Sequence, residues 1–170
     1  TLVNITLDRS LTSAVDMFCL FGTSSSPVLS VGSFFATCRS PHLGVETVAL
    51  AVQSSVRLSG NTLPFEVYAR EVLTGIAPST GDLAGSMRIT LQGVNFLQDR
   101  GLLSCRFAKL ISVPGEYVSS TAVHCITPAH GAQLVTVEIA NNGQQFSDKA
   151  TVFLFSQRPQ VLSVLPTKGP

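Results

Sequence analysis

An internal repeat constrains this chain more than any other feature of its sequence. Cys19 and Cys38 recur as Cys105 and Cys125, at offsets of 86 (105 − 19) and 87 (125 − 38) residues. In both copies the second cysteine is followed, two residues later, by a Ser-Pro or Thr-Pro pair. A period of this length is typical of one small β-sandwich domain of ~100 residues. The 170 residues therefore contain parts of more than one domain.

A third copy of the repeat begins near the C-terminal end. Leu73–Gly81 returns as Val161–Gly169, at an offset of 88 residues (169 − 81). This segment precedes the rest of the repeat, so it is predicted to form the opening strand of each domain. We therefore predict a domain without its first strand at 1–71, a complete domain at 72–156, and a linker with the first strand of a third domain at 157–170.

The spacing of the apolar residues predicts an all-β fold. Met87, Ile89 and Leu91 alternate with polar residues, which is the two-residue period of a half-buried strand. Helical periodicity is hard to find anywhere in the chain. Ser59–Asn61 and Asn141–Gly143 are predicted to be hairpin turns, because these residues tolerate positive φ. The further strand candidates are Val3–Leu7, Val48–Val52, Phe65–Ala69, Val118–Cys125, Leu134–Ile139 and Ala150–Phe155.

The composition limits the class of partner. Hydrophobic residues make up 45% of the chain and charged residues 12%, which indicates a globular chain. The net charge of +1 does not attract the chain to nucleic acid phosphates or to an anionic membrane. No apolar run approaches the ~20 residues of a membrane-spanning helix. Because the chain opens inside an alternating strand, any signal peptide is expected upstream of Thr1.

Several motifs follow one another in a fixed order in the second copy of the repeat. They are Ile76-Ala77-Pro78, Gly81, Gly85, Ile89–Phe96 with its Gly-Val-Asn-Phe ending, Cys105-Arg106-Phe107, Cys125, Thr127-Pro128, Asn142-Gly143 and Phe146-Ser147. This order resembles the IPT/TIG domains, immunoglobulin-like modules of plexins, of the hepatocyte growth factor receptor group and of some transcription factors. The resemblance implies β-sandwiches in a tandem array and implies little about the ligand. The first copy departs from it at Asp8-Arg9-Ser10, where Gly-Val-Asn is expected.

Each copy of the repeat holds its own pair of cysteines. The separations are 19 (38 − 19) and 20 (125 − 105) residues, so Cys19 is predicted to pair with Cys38 and Cys105 with Cys125. Such disulfides favour an oxidising compartment. Free buried thiols and a metal site are the alternatives, and a four-cysteine zinc site would need close paired spacings that are absent. The sequence therefore predicts a secreted or cell-surface protein.

Asn4-Ile5-Thr6 is the only Asn-x-Ser/Thr triplet in the sequence. Strand alternation places Asn4 on the face opposite its apolar neighbours. A secreted protein is therefore predicted to carry an N-glycan at Asn4.

No catalytic, cofactor-binding or metal-binding motif stands out. The histidines have no metal-site spacing and are interpreted as solvated side chains. The carboxylates are scattered over different strands and turns, and the glycines form no phosphate loop. We therefore predict no enzyme and no cofactor. The residues considered are His42, His124 and His130, with Asp82, Asp99, Glu116, Glu138 and Asp148.

Phenylalanine is predicted to fill the cores, since the chain has no tryptophan. Phe34 and Phe35 are consecutive, so both cannot face inward from one regular strand. One of them is therefore a candidate for an exposed contact or for packing between domains.

The leading functional hypothesis is a structural or adhesive segment, which acts as a rigid spacer and contacts other protein domains, including neighbouring repeats. Rigidity is expected because strand-forming residues run through the junction at Arg70–Leu73 without a Gly/Ser linker. The alternative is an ectodomain segment of a plexin-like or growth-factor-receptor-like signalling receptor.

Self-assembly is a further possibility. The first domain lacks an opening strand, whereas the C-terminal segment supplies one without a domain. In one explanation, neighbouring sequence in a longer parent protein supplies the missing strand and the rest of the third domain. In the other, copies join head to tail into a filament. In the second case Val161, Ser163 and Leu165 would add backbone hydrogen bonds beside Val3–Leu7 of another copy.

Overall fold

The structure, a computed structural model, consists of β-strands and contains no helix in the residues it describes. Those residues are 1–8, 16–54, 60–98 and 101–169. The chain divides into two compact units, Thr1–Ala69 and Arg70–Pro170, called here the first and second unit. The strands are β1 Leu2–Thr6, β2 Met17–Phe21, β3 Ser24–Gly32, β4 Phe35–Arg39, β5 Glu46–Ser54, β6 Leu63–Val67, β7 Val72–Ala77, β8 Thr80–Asp82, β9 Arg88–Val94, β10 Ser104–Phe107, β11 Ile111–Ser119, β12 Ala122–Ile126, β13 Gln133–Ala140 and β14 Thr151–Ser156.

The first unit is one curled antiparallel sheet in the order β1-β4-β3-β2-β5-β6. Alternation in β2 buries Met17, Cys19 and Phe21 and leaves Phe18 exposed. A bulge in β3 between Val28 and Ser30 turns the sheet, because an extra residue bends a strand and increases its twist. The sheet thereby closes over one core. Its buried members are Met17, Cys19, Phe21, Val28, Ala36, Cys38, Leu50 and Val52.

The second unit has the order β7-β9-β12-β11-β10-β13-β14-β8. Every neighbouring pair is antiparallel except β14 and β8, which run parallel. Phe107, Phe153 and Phe155 meet edge to face in the core, with ring centroids 4.8 to 6.3 Å apart. The buried core residues are Leu73, Ile89, Leu91, Phe96, Leu103, Cys105, Phe107, Val123, Cys125, Val135, Val137, Ile139, Phe153 and Phe155.

The two units share one strand order. The run β9-β12-β11-β10-β13-β14 repeats β1-β4-β3-β2-β5-β6, and the second unit adds β7 at one end and β8 at the other. Pairing fixes the correspondence, since Val3 lies opposite Cys38 and Ile89 lies opposite Cys125. The predicted fold class, all-β with immunoglobulin-like β-sandwiches, is confirmed.

Several strand predictions are confirmed and one is wrong. The candidates near β1, β5, β6, β13 and β14 all fall within or beside those strands. Val118–Cys125 is instead divided by a turn, since β11 ends at Ser119 and β12 begins at Ala122. The amide of Thr121 donates to Ser119 Oγ across this turn at 3.2 Å. The Ser119-Ser120-Thr121 run is the sequence signal for this turn, because serine and threonine hydroxyls bond to nearby backbone amides.

The consecutive residues Phe34 and Phe35 both lie at the surface. They are 56% and 46% exposed, so neither is a core residue. Residues 157–169 form no strand, since an opening strand needs a sheet to pair with.

The partition into three domains stays a prediction. Asp99, Ser59, and Arg9 and Ser10 of the Asp8-Arg9-Ser10 segment lie outside the described residues.

Candidate interaction surfaces

Each unit contains one disulfide that joins two strands across its core. Cys19 of β2 bonds to Cys38 of β4, with their Cα atoms 6.3 Å apart. Cys105 of β10 bonds to Cys125 of β12, with their Cα atoms 6.4 Å apart. All four sulfur-bearing side chains are buried. The bonds therefore support the two sandwiches and do not form a reactive surface.

Asn4 lies on the outer face of β1, as alternation predicts. Its side chain is exposed, while Val3 and Ile5 pack against the core. Thr37 Oγ1 donates to Asn4 Oδ1 at 2.8 Å. This bond uses the amide oxygen, whereas a glycan is attached through the amide nitrogen. Glycosylation at Asn4 is compatible with this geometry and stays a prediction.

The titratable side chains of the described residues do not converge on a metal-binding site. Within the described ranges, no three His, Cys, Asp or Glu side chains are placed to hold one metal ion. His124 Nδ1 lies 3.4 Å from Arg88 and 3.9 Å from Glu116 on an outer sheet face. The ring of His130 stacks on Phe155 at 4.9 Å. In the part of the chain that is described, no helix has the length and apolarity to cross a membrane.

The outer face of β10 and β13 carries a charged pair that sequence reasoning did not single out. Arg106 donates through Nε to Glu138 Oε2 at 2.8 Å, and its second nitrogen lies 2.7 Å from the same oxygen. The guanidinium also lies 3.7 Å from the centre of the Phe146 ring. Arginine prefers such combined contacts, because its planar cation pairs with carboxylates and stacks on aromatic faces. The pair thereby holds the β13–β14 connection against the sheet.

Exposed apolar side chains lie beside this pair. We call Leu134, Val152 and Leu154, on the outer face of β13 and β14, the outer patch. Their exposed fractions are 63%, 49% and 38%, and Leu134 lies directly opposite Leu154. An apolar group with a charged border is typical of a protein contact surface.

The first unit has a shallow cavity of about 350 Å³ on the outer face of β2 and β5. Phe18 and Leu20 of β2 and Gln53 of β5 are among its lining residues. The mixed apolar and amide lining suits contact with another protein surface. The complete lining is Asp16, Phe18, Leu20, Ser25, Gln53 and Ser54.

A buried polar network fixes the start of the second unit. Asn141 Nδ2 donates to Glu71 Oε2 at 3.1 Å and to the Asn95 carbonyl at 2.8 Å. The amide of Leu97 donates to Asn141 Oδ1 at 3.0 Å, and Asn95 Nδ2 donates to the Arg70 carbonyl at 2.9 Å. Glu71 is only 5% exposed. Desolvation raises the pKa of the Glu71 carboxyl. A hydrogen bond from the Glu71 backbone and the nearby positive charge of Arg70 offset only part of this effect.

We expect Glu71→Gln to stabilise the second unit at neutral pH. Because the pKa of Glu71 is higher in the folded chain than in the unfolded chain, the protonated carboxyl favours folding at low pH. This contribution is lost as the pH rises through the folded pKa. The variant's advantage in free energy of unfolding should therefore grow as the pH rises from below the ordinary glutamate pKa of about 4.3 to neutral pH, as measured by urea denaturation.

Glu66→Gln is the control for this prediction, because Glu66 is an exposed carboxylate in β6 of the first unit. It should leave the free energy of unfolding of the second unit unchanged over the same range. A Glu71→Gln stability curve that runs parallel to the native curve would contradict the assignment of a raised pKa to Glu71.

Comparison with known proteins agrees with the fold described above. Residues 72–155, within the second unit, match the family model of the IPT/TIG domain. A search of curated proteins finds no relative with a matching sequence.

Two solved structures of the plexin A4 extracellular region are similar in fold. One structure contains domains 1 to 8 and is 14% identical in sequence, with a TM-score of 0.50. The alignment covers 92% of this chain and 16% of the plexin chain. The other contains domains 1 to 10 and is 15% identical, with a TM-score of 0.60. Its alignment covers 98% of this chain and 15% of the plexin chain. The chain thus spans a small part of these ectodomains. At this identity the likeness establishes the fold alone.

Proposed function

We propose that this chain is a non-catalytic structural or adhesive segment of a secreted or cell-surface protein made of tandem IPT/TIG domains. It serves as a rigid spacer and as a module for protein contacts. One observation carries the proposal: both units build the same strand order around a disulfide between corresponding strands. On this reading the first unit is a second IPT/TIG domain, although the family model matches only 72–155.

An extracellular location follows from the cysteine chemistry. Disulfides persist in oxidising compartments and are rare in the cytosol. Each unit keeps its bond fully buried within one small core, as in secreted domains that depend on a disulfide for stability. The plexin likeness agrees with this location.

The partners that suit these surfaces are other protein domains, including neighbouring repeats of the same protein. The outer patch of the second unit and the cavity of the first unit both combine apolar and polar groups on sheet faces. The net charge of +1 gives no reason to propose a nucleic acid partner. No three His, Cys, Asp or Glu side chains of the described residues are placed to hold a metal ion.

The second candidate is an ectodomain segment of a plexin-like or growth-factor-receptor-like signalling receptor. The plexin A4 structures favour it, since 92% to 98% of this chain aligns with part of those ectodomains. Both candidates place the chain outside the cell and assign it a non-catalytic role.

Secretion from animal cells tests the proposal. Fused to a signal peptide, the chain should be recovered from the medium with one N-glycan at Asn4, which a peptide N-glycosidase removes. Asn4→Gln should remove the glycan, whereas Thr6→Ser should retain it because Asn-Ile-Ser is still an acceptor. Retention inside the cell as an unoxidised chain would contradict the extracellular assignment. Secreted protein that runs identically with and without Asn4→Gln would contradict the glycan alone.

A further inference from the structure

We propose that the exposed ring of Phe35 in the first unit is the packing surface for an N-glycan on Asn4, and that it binds the first N-acetylglucosamine of that glycan. This inference rests on the proposed function, which places a glycan at Asn4, and it identifies the side chain that receives the sugar. Its basis is an acceptor asparagine and an exposed aromatic ring on the same face of two paired strands.

Pairing between β1 and β4 places the acceptor triplet beside the ring. Asn4 lies opposite Thr37, and Thr6 lies opposite Phe35. Directly opposite residues of an antiparallel pair project to the same face, and so do residues two apart along a strand. Asn4 and Phe35 are therefore diagonal neighbours on the outer face, for which the Cβ separation is typically about 7 Å. A sugar attached to the asparagine side chain spans that distance.

The outer face is open at these positions. Asn4 and Thr6 are exposed, and Phe35 is 46% exposed. The intervening residues Ile5 and Ala36 turn towards the core. An aromatic side chain gains free energy when its apolar surface is removed from water. A group that lies over this face of β4 is therefore stabilised by covering Phe35.

Gly32 of β3 determines where the Phe35 ring lies. It is directly opposite Phe35, and a Cβ at Gly32 would be 2.8 Å from Cδ1 of the ring and closer still to Cε1 and Cζ. The ring therefore occupies the space above the glycine backbone, which any other residue would fill with its own side chain. This packing supports the ring from below and leaves its exposed part open to a group above the sheet.

N-acetylglucosamine has the chemistry that such a ring recognises. In its β form, the axial hydrogens on C1, C3 and C5 lie on one face of the sugar ring. These C–H groups are weakly positive, and an aromatic ring is negative on its face. The sugar can place its C–H face on Phe35 while its hydroxyl groups stay in water, so that no polar group is buried without a partner.

Thr37 restricts the direction in which the glycan leaves the protein. Thr37 Oγ1 donates to Asn4 Oδ1 at 2.8 Å, and glycosylation modifies the amide nitrogen and leaves this oxygen unchanged. The bond therefore persists in the glycoprotein and limits rotation of the Asn4 amide. A restricted linkage loses less conformational entropy when the sugar packs against Phe35.

The second unit lacks every part of this arrangement at the corresponding positions. Thr90 stands at the position of Asn4, and Ala122 stands at the position of Phe35. The residue opposite Ala122 is Ser119 and not a glycine. The ring and the glycine beneath it thus occur together with the acceptor triplet in one unit and are absent together with it in the other. This association favours a shared role for them.

The contact assigns a role to this face of the first unit. A glycan held against β4 covers Phe35 and keeps the outer face of β1 and β4 from binding another protein. The protein contacts proposed above are then confined to the cavity on β2 and β5 and to the outer patch of the second unit.

Nuclear magnetic resonance of the secreted chain tests the contact directly. An endoglycosidase trims high-mannose glycans to the single N-acetylglucosamine on Asn4. The ring protons of this sugar should show nuclear Overhauser contacts to Phe35, and their resonances should lie upfield of those in the free sugar. Phe35→Leu should abolish the upfield shift. Phe34→Leu is the matched control, because it removes the adjacent ring, which is 56% exposed, and it should retain the shift.

Amide hydrogen exchange measures the energetic part of the contact. In the native protein, the sugar should slow exchange in β1 and β4 about fivefold relative to the enzymatically deglycosylated protein. Phe34→Leu should keep this ratio, whereas Phe35→Leu should bring it close to one. Comparing each variant with and without its sugar cancels the effect of the substitution on the fold itself.

A sugar without Overhauser contacts to Phe35, or an exchange ratio that Phe35→Leu leaves intact, would overturn the inference. Either result can occur in a secreted glycoprotein, so the proposed function would stand. Secretion of the chain without any glycan would overturn this inference together with the glycan at Asn4, but not the extracellular location. Retention inside the cell as an unoxidised chain would contradict the proposed function itself.

Discussion

Gly85→Ala is expected to lower the free energy of unfolding of the second unit by about 3 kcal/mol. Gly85 follows β8 with φ at +70°, a conformation that costs any residue with a Cβ. A Cβ at this position would also lie 2.4 Å from the backbone of Pro128 and 2.6 Å from the amide of Ala129. Neither neighbour is a flexible side chain, so the backbone itself would have to move.

Urea denaturation in a Tyr68→Phe background provides the measurement, because Tyr117 is then the only tyrosine and it packs against the core of the second unit. Gly131→Ala is the matched control, since nothing lies within 4 Å of its Cβ position. Its effect should stay within about 0.5 kcal/mol. Equal effects of the two substitutions would show that the close approach at Pro128 is absent in solution.

Replacing both Cys105 and Cys125 with alanine is expected to destabilise the second unit by about 3 kcal/mol. The bond closes a loop with a sequence separation of 20, and its loss gives the unfolded chain more conformational freedom. Both side chains are almost fully buried, so the substitution also removes contacts between β10 and β12.

The same tyrosine reporter measures this change. The equivalent replacement of Cys19 and Cys38 serves as the control, because that bond lies within the first unit. Tyr117 should then report nearly native stability for the second unit. If the Cys105 and Cys125 variant unfolds at the native urea midpoint, the bond does not stabilise the native protein.

Features encoded by local sequence were predictable. Alternation of apolar residues identifies β9, and the repeat identifies the corresponding strands of the first unit, because the two-residue period depends only on neighbouring side chains. Cysteine spacing indicated the same pairs that are bonded in the structure.

Features that depend on distant contacts were not predictable. The Glu71 network joins residues 70 positions apart. The sequence placed Asn141 in a hairpin turn and gave no sign that its side chain is buried beside Glu71. The bulge in β7 also depends on its pairing with β9, so the alternation of neighbouring side chains could not reveal it. The outer patch arises because β13 and β14 pair across a ten-residue connection and bring Leu134 opposite Leu154.

The oxidation state of the cysteines tests the central claim most directly, because both the location and the two-unit architecture depend on it. Protein recovered from the medium should have an intact mass about four hydrogens below its reduced mass, as two disulfides require. Peptide mapping without reduction should link Cys19 to Cys38 and Cys105 to Cys125. Four alkylatable thiols in the native protein, or pairing between the two units, would contradict the account.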